Sequence, residues 1–256
     1  MHIPDRDLRK AYKTALKSAV EAGSLLRKRF RAGETTVNSS LPHDLKLDID
    51  VETENLITGI IERRFPHHGF VCEEGGNRRE ESEHRWIIDP LDGSVNFFRH
   101  IPHFCTSIAY RQNEKDMLGI IFDPVGNEIF AAVHGAGAFL NGSPLKRKTV
   151  SSLGEAVISG GFYKTRATLN GIRILEKLAP LVKKVRFFGS AALDLCYLAC
   201  GRVDGYIQQH VSDWDIAAAA FIAEAAGARV EVTRSESKLN VIAADEKIFD
   251  ELKSYL

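Results

Sequence analysis

Apolar residues recur at helical spacing near the start of the chain. Leu8, Ala15, Leu16, Ala19, Leu26 and Phe30 are separated by Lys and Arg. This pattern predicts an amphipathic helix over residues 5–30, with Gly33 as its stop. Residues 34–47 are polar, contain Pro42 and lose the period, so a loop or a weak hairpin is expected. A second helix is predicted over 50–65, with Leu56, Ile57, Ile60 and Ile61 inward and Pro66-His-His-Gly69 ending it. The texture then becomes strand-like, with runs at 70–72, 85–88, 106–110, 118–122, 129–133 and 137–140. Asp123-Pro-Val-Gly126 and Asn141-Gly142 supply turns between them. That predicts a mostly antiparallel sheet behind two helices.

From about residue 150 strands and helices alternate. Strands are expected at 156–159, 185–188, 203–207, 229–232 and 240–243. Helices are expected at 169–181, 190–200, 213–226 and 245–256, with Gly227 ending the third. The chain therefore reads as an α+β unit over residues 1–150 beside an α/β unit over 151–256. The two are expected to pack as layers with a site in the groove between them. A strand-to-helix junction such as Gly189-Ser190 is where such sheets bind ligands.

Composition narrows the function. Lys and Arg together number 34, as do Asp and Glu, so no bulk charge favours nucleic acid or an anionic membrane. Lys146-Arg-Lys148 and Lys183-Lys184 lack interleaved aromatics and read as solvated surface, so a nucleic-acid partner is not expected. Cys72, Cys105, Cys196 and Cys200 form no CxxC pair and sit in apolar contexts, which reads as free thiols in a reducing cytoplasm. Residues 1–10 are charged and show no signal-peptide core. The longest apolar run, 216–223, is far short of the roughly 20 residues that span a bilayer.

The candidate chemistry lies in carboxylates at element ends. In Trp86-Ile-Ile-Asp89-Pro90-Leu91-Asp92-Gly93-Ser94, two acids three residues apart follow an apolar strand. They suit a hard cation, and the following Gly-Ser leaves backbone N–H groups for an anion. Asp50, Glu73-Glu74 and Asp215 also stand at element ends. Each has a plainer reading: Asp50 as an N-cap, Glu73-Glu74 as the start of a solvated charge run, and Asp213 as the cap of the helix containing Asp215. Together they suggest one oxygen-rich site for Mg²⁺, with Mn²⁺ as a substitute. A phosphate site beside it suggests phosphoryl chemistry.

The stretch from Trp86 to Phe97 resembles the first signature of the inositol monophosphatase family. Trp214-Asp215-Ile-Ala-Ala218 with Glu224-Ala-Ala-Gly227 resembles the second. Gly135-Ala-Gly137-Ala138-Phe139-Leu-Asn141-Gly142, Gly69-Phe-Val-Cys-Glu73-Glu74 and Asp44-Leu-Lys-Leu-Asp-Ile-Asp50 match in kind and spacing. The resemblance covers roughly residues 8–245 and implies a layered αβαβα sandwich. It also implies Mg²⁺-dependent, Li⁺-sensitive hydrolysis of a small phosphomonoester, inositol 1-phosphate first, and a homodimer. By this resemblance, Glu73, Asp89 and the Leu91 carbonyl hold one metal. Asp89, Asp92 and Asp215 hold a second, and Glu73 also touches a third, weaker ion. Asp50 and Ser94 orient the attacking water together with Glu73, and the Gly93 and Ser94 amides hold phosphate. Gly189, Ser190 and Ala191 line the alcohol side.

Two positions depart from the family pattern. Ser94 stands where Thr is usual, and either hydroxyl can hydrogen-bond water. Gln208 stands where inositol-hydrolysing members carry Glu, so the charge that binds a substrate hydroxyl is missing. That opens fructose 1,6-bisphosphate, 3′-phosphoadenosine 5′-phosphate, NADP and histidinol phosphate as alternatives, with Gln209 and His210 as possible readers. A regulatory protein binding RNA or a transcription partner on the same fold is the alternative of another class.

Overall fold

The computed structural model describes residues 3–33, 35–41, 44–161, 166–235 and 238–255. The first helix, α1, spans Arg6–Ala32. Asp5 caps it by accepting from Leu8 N at 2.7 Å, and Gly33 closes it with φ 69°. The polar segment after it forms a hairpin of β1 (Val37–Leu41) and β2 (Asp44–Leu47). This leads directly into α2, Asp48–Arg64, two residues earlier than the sequence predicts.

Seven strands follow as one sheet: β3 (Gly69–Cys72), β4 (His84–Asp92), β5 (Cys105–Gln112), β6 (Lys115–Asp123), β7 (Glu128–Val133), β8 (Gly137–Leu140) and β9 (Ser143–Pro144). They lie in sequence order. Only the β3–β4 pair is parallel among these described strands. A short helix, α3 (Ser94–Phe98), follows β4.

The rest of the chain alternates: β10 (Val157–Gly161), α4 (Arg166–Leu178), β11 (Lys184–Arg186), α5 (Ala191–Ala199), β12 (Gly205–Val211), α6 (Asp213–Ala225), β13 (Arg229–Ser235), β14 (Lys238–Ala244) and α7 (Glu246–Lys253). Its five strands run β11-β10-β12-β14-β13. The strand at 203–207 is thus displaced to Gly205–Val211, and the last helix ends at Lys253.

Burial orders these elements into αβαβα layers. On β4, Trp86 and Ile88 face α1 and α2, while Ile87 faces the opposite way into a core built with α5 and α6. That is the two-residue period of a strand covered on both sides. Tyr206, Val241 and Ala243 close the same central core from the second sheet. Ile174 and Leu178 of α4 and Ile248, Phe249 and Leu252 of α7 cover its outer face. Because α6 is sandwiched between sheets it is apolar all round, from Ile216 through Ala223. Gly119 on β6 admits it: a Cβ there would sit 2.5 Å from the Ala218 carbonyl oxygen.

The cysteines are free; Cys72, Cys105 and Cys196 are buried and Cys200 is half-buried. One surface expectation needs correcting. Arg147 is not part of a solvated patch, because its side chain is 5 % exposed and pairs with Asp245 at 3.2 Å. Among the described residues no helix is long and apolar enough to cross a membrane.

Candidate active site

The site begins at a bulge. The sequence places the end of β4 before Asp89, but the strand runs on to Asp92. Asp89 pairs with Ser107 and Asp92 with Cys105, so Pro90 and Leu91 together oppose Thr106 alone. Proline suits this place because the bulged ladder needs no N–H from it. Thr106 Oγ1 donates to the Pro90 carbonyl at 3.1 Å, and Leu91 N donates to Asp89 Oδ1 at 3.0 Å. Gly93 then turns the chain at φ 97°, where a Cβ would approach the His103 carbonyl to 3.0 Å. Ser94 opens α3, and its hydroxyl donates to the Leu91 carbonyl at 3.0 Å. A hydroxyl so committed presents its lone pairs elsewhere as acceptors.

Glu73 follows β3 next to this bulge, because Cys72 lies opposite Ile88 in the parallel register. Its turn is held from α2, where Glu54 accepts from Glu74 N at 2.8 Å and from Gly75 N at 2.7 Å. Lys46 pairs with Glu74 at 3.0 Å.

Asp50 and Asp215 occupy equivalent places on two helices. Neither Asp50 nor Asp213 is a cap, contrary to the plainer reading of each. Leu47 and Ser212 hold the cap positions, and Asp50 and Asp215 are third in their helices. Asp50 Oδ2 accepts from Leu47 N and Asp215 Oδ2 from Ser212 N, both at 2.7 Å. The positive end of each helix favours these carboxylates. Asp213 is drawn away to Arg111 at 2.7 Å.

The opposite wall comes from the second sheet. Ser190 caps α5 and donates to Asp92 Oδ2 at 2.5 Å, while Ala192 N donates to the same oxygen at 2.7 Å. Asp92 therefore sits at the start of α5, with two donors converging on one of its oxygens. Gln208 is 8 % exposed, and its Oε1 accepts from the Tyr206 hydroxyl. The chain bulges directly after it, with His210 at φ 62°. Gln209 and His210 lie inside β12 rather than past its end, and neither lines the cleft.

A cleft of about 370 Å³ gathers Glu73, Asp89, Leu91, Asp92, Gly93 and Ser94 from one side. Gly189, Ser190, Ala191, Gln208 and Asp215 line the other. Apart from Gln209 and His210, every site residue expected from the sequence lines it except Asp50. That residue is buried behind the wall, close enough for its charge to raise the Glu73 pKa.

The electrostatics are those of uncompensated acid. Burial first, then the Asp215 charge, hold the Glu73 carboxyl well above the usual carboxylate range. Burial and then the charges of Glu73, Asp92 and Asp215 do the same to Asp89. Burial raises Asp92 against the pull of its donors Ser190 and Ala192. No Lys, Arg or His lines the cleft among the described residues. The donor set is oxygen only, which fits a hard divalent cation. The fit is one of chemistry rather than of a preformed cage. Among the described residues no three acid, His or Cys side chains are gathered about one point.

Sequence reasoning missed several parts. Asp194 lines the cleft from α5; burial pushes its pKa up to about 6, and His103 Nε2 lies 3.6 Å away. Asn96 joins two walls by donating to the His103 carbonyl at 2.8 Å and the Phe188 carbonyl at 2.7 Å. Gly160, Gly161 and the half-exposed Phe187 complete the alcohol side. The Gly-Gly pair on a strand end was an available signal. Asp194 inside an apolar helix was another.

The family model for the inositol monophosphatase family matches residues 7–253. The chain belongs to the inositol monophosphatase family. A relative named Nus factor SuhB, from Pasteurella multocida, is 37% identical over 222 residues, covering 84% of this chain and 82% of its own. Among solved structures, the extragenic suppressor protein suhB of Bartonella henselae is 31% identical with a TM-score of 0.90, over 96% of this chain and 98% of that one. The inositol monophosphatase of Anabaena is 32% identical with a TM-score of 0.86, over 97% and 96%. Membership of the inositol monophosphatase family supports a phosphatase, and the layered fold is the one shared with these structures.

Proposed function

We propose that this protein hydrolyses a small phosphomonoester with Mg²⁺, with inositol 1-phosphate as the first candidate. The observation that carries the reading is a cleft lined by Glu73, Asp89, Asp92, Asp194 and Asp215, with no Lys, Arg or His in its lining among the described residues. Glu73, Asp89 and the Leu91 carbonyl would hold one ion, and Asp89, Asp92 and Asp215 a second. Glu73 would touch a third, weaker one, and Mn²⁺ would substitute. Bound Mg²⁺ supplies an ionised water and neutralises charge on the phosphoryl group and leaving oxygen. The chain does the positioning. Asp50, acting behind Glu73, and the Ser94 lone pairs orient the water. The Gly93 and Ser94 amides hold phosphate oxygens. The Ser190 hydroxyl fixes Asp92, and Gly189, Ala191 and Gln208 face the alcohol. In this reading residues 1–150 carry most of the ion-holding groups, and 151–256 supply Asp215 and the alcohol wall.

One observation favours a different alcohol on the same chemistry. The Gln208 acceptor is taken by Tyr206, which leaves its amide N–H groups for the ligand. A donor there suits a leaving group rich in acceptors, such as fructose 1,6-bisphosphate, 3′-phosphoadenosine 5′-phosphate, NADP or histidinol phosphate. The relatives' name, Nus factor SuhB, motivates a transcription partner as a second role. A homodimer, Li⁺ sensitivity and a cytoplasmic location belong to the same family-based proposal. The test is phosphate release across these substrates with Mg²⁺, with and without Li⁺. Release from one or more, lost on chelation, is expected. No release from any sinks the proposal.

A further inference from the structure

A second groove of about 510 Å³ lies between α1 and α2, away from the acid cleft. From α1 it takes Arg6, Arg9, Lys10, Lys13 and Lys17; from α2 it takes Arg63 and Arg64. Among the described residues no acid lines it, and its other lining residues are Thr14 and Ile60. Nearby acids are largely engaged elsewhere. Asp5 caps α1 through Leu8 N at 2.7 Å. Glu62 pairs with Arg79 at 2.5 Å and with Arg78 at 3.8 Å, while Glu21 lies 3.7 Å from Lys17 of the groove itself. Arg63 and Arg64 follow Asp50 on α2 by thirteen and fourteen residues, so the groove is about 20 Å from the catalytic end of that helix. The chain's zero net charge thus hides two separated fields, one acidic and one basic.

We propose that this groove binds the phosphodiester backbone of a single nucleic-acid strand. Arg6, Lys10, Lys13 and Lys17 recur every three or four residues along α1, one cation per roughly 5 Å of helix axis. That row runs along one side of the groove, and Arg63 and Arg64 stand on the other. A protein partner would need an apolar anchor at the centre of such a surface, and Ile60, 6 % exposed, offers almost none. No Trp, Tyr or Phe lines the groove for base stacking, so the contacts are to phosphates and carry little sequence preference. The inference is independent of the phosphatase reading, because none of these residues lines the acid cleft.

The test is fluorescence anisotropy of the full chain with labelled single strands of about a dozen nucleotides, RNA and DNA of one sequence. With four or five phosphates neutralised, log K falls against log salt with a slope of about −3. The double variant Lys13→Glu/Arg63→Glu is expected to weaken binding at least ~10-fold at low salt, as lost phosphate contacts do. It should leave circular dichroism and phosphate release unchanged. Lys183→Glu/Lys184→Glu, on exposed residues elsewhere, keeps full binding. Equal binding of RNA and DNA supports charge alone, and tighter RNA binding supports an added 2′-hydroxyl contact. Absence of binding overturns the proposal, as does binding that survives Lys13→Glu/Arg63→Glu. Polyglutamate of equal charge displacing the strand at equal concentration also overturns it, in favour of an acidic protein.

Discussion

Asp89 and Gln208 line the same cleft but are held in opposite ways. Asp89 sits in a β-bulge, and the donor that fixes it is the amide of Leu91, two residues away. Its wall is built of acids tied to nearby backbone: Asp92 in the same bulge, Glu73 beside it, and Asp215 turned back onto its own helix start. Gln208 is held by the Tyr206 side chain and backs onto Gly161. On the proposed function, the difference separates reaction from selection. The first wall is a charge arrangement that tolerates little change. The second is a packing arrangement of glycines, Phe187 and one amide that can be altered without touching the acids.

The sharpest way to break this comparison is Asp89→Asn. Phosphate release should fall about 10³-fold, the several kcal/mol that a metal site contributes. The same change removes a buried carboxyl whose charged form is disfavoured by burial and by Glu73. The metal-free melting temperature should therefore hold or rise, while the Mg²⁺-induced rise of the unaltered protein should vanish. Unchanged turnover would show that the acid wall is not the reactive one.

Gly119→Ala tests the packing that sets the walls apart. Its Cβ would meet the Ala218 carbonyl at 2.5 Å, so α6, with Asp215 at its start, must shift. A loss of about 2 kcal/mol is expected in denaturant titrations, together with lower turnover. Ser190→Ala should act more narrowly. It leaves Ala192 N on Asp92 and removes the hydroxyl, lowering kcat about tenfold with stability reduced by about 1 kcal/mol. Gln208→Glu should leave the reaction and change the choice. The kcat/KM ratio of inositol 1-phosphate to the other phosphomonoesters should rise by about tenfold, as regained hydroxyl recognition predicts. An unchanged ratio would remove Gln208 from selection.

Much of the first wall is legible in the sequence because it is local. Asp89, Pro90, Asp92, Gly93 and Ser94 are bonded to one another or to near neighbours, so their order carries their geometry. Where the strand ends was misjudged because Pro90 reads as a stop, whereas Thr106 on β5 gathers it into the sheet. Asp50 also had a plainer reading as a cap, because aspartate is a good one. The hairpin enters α2 two residues earlier and makes it an internal anchor instead. Asp194 and Asn96 were missed because they have partners remote in the chain, 91 residues away for Asp194 and His103 and 92 for Asn96 and Phe188. Gln208 and Tyr206 share one face of a strand, which the sequence offers, but their hydrogen bond depends on the core closing around Tyr206. The basic groove escaped composition altogether, since its cations come from two helices and cancel in the sum.

The bond from Ser190 to Asp92 also has a meaning in time. Its two ends are 98 residues apart, and the Ala192 amide on the same oxygen is 100 residues from Asp92. A ribosome adding about 5–20 residues each second needs roughly 5–20 s to travel that distance. Throughout that interval the emerging chain carries Asp50, Glu73, Asp89 and Asp92 and lacks the donors that hold Asp92 in place. Asp215, another 23 residues after Ala192, emerges later still. An unfinished or prematurely ended chain therefore has the signature without the Ser190 and Ala192 donors and without Asp215.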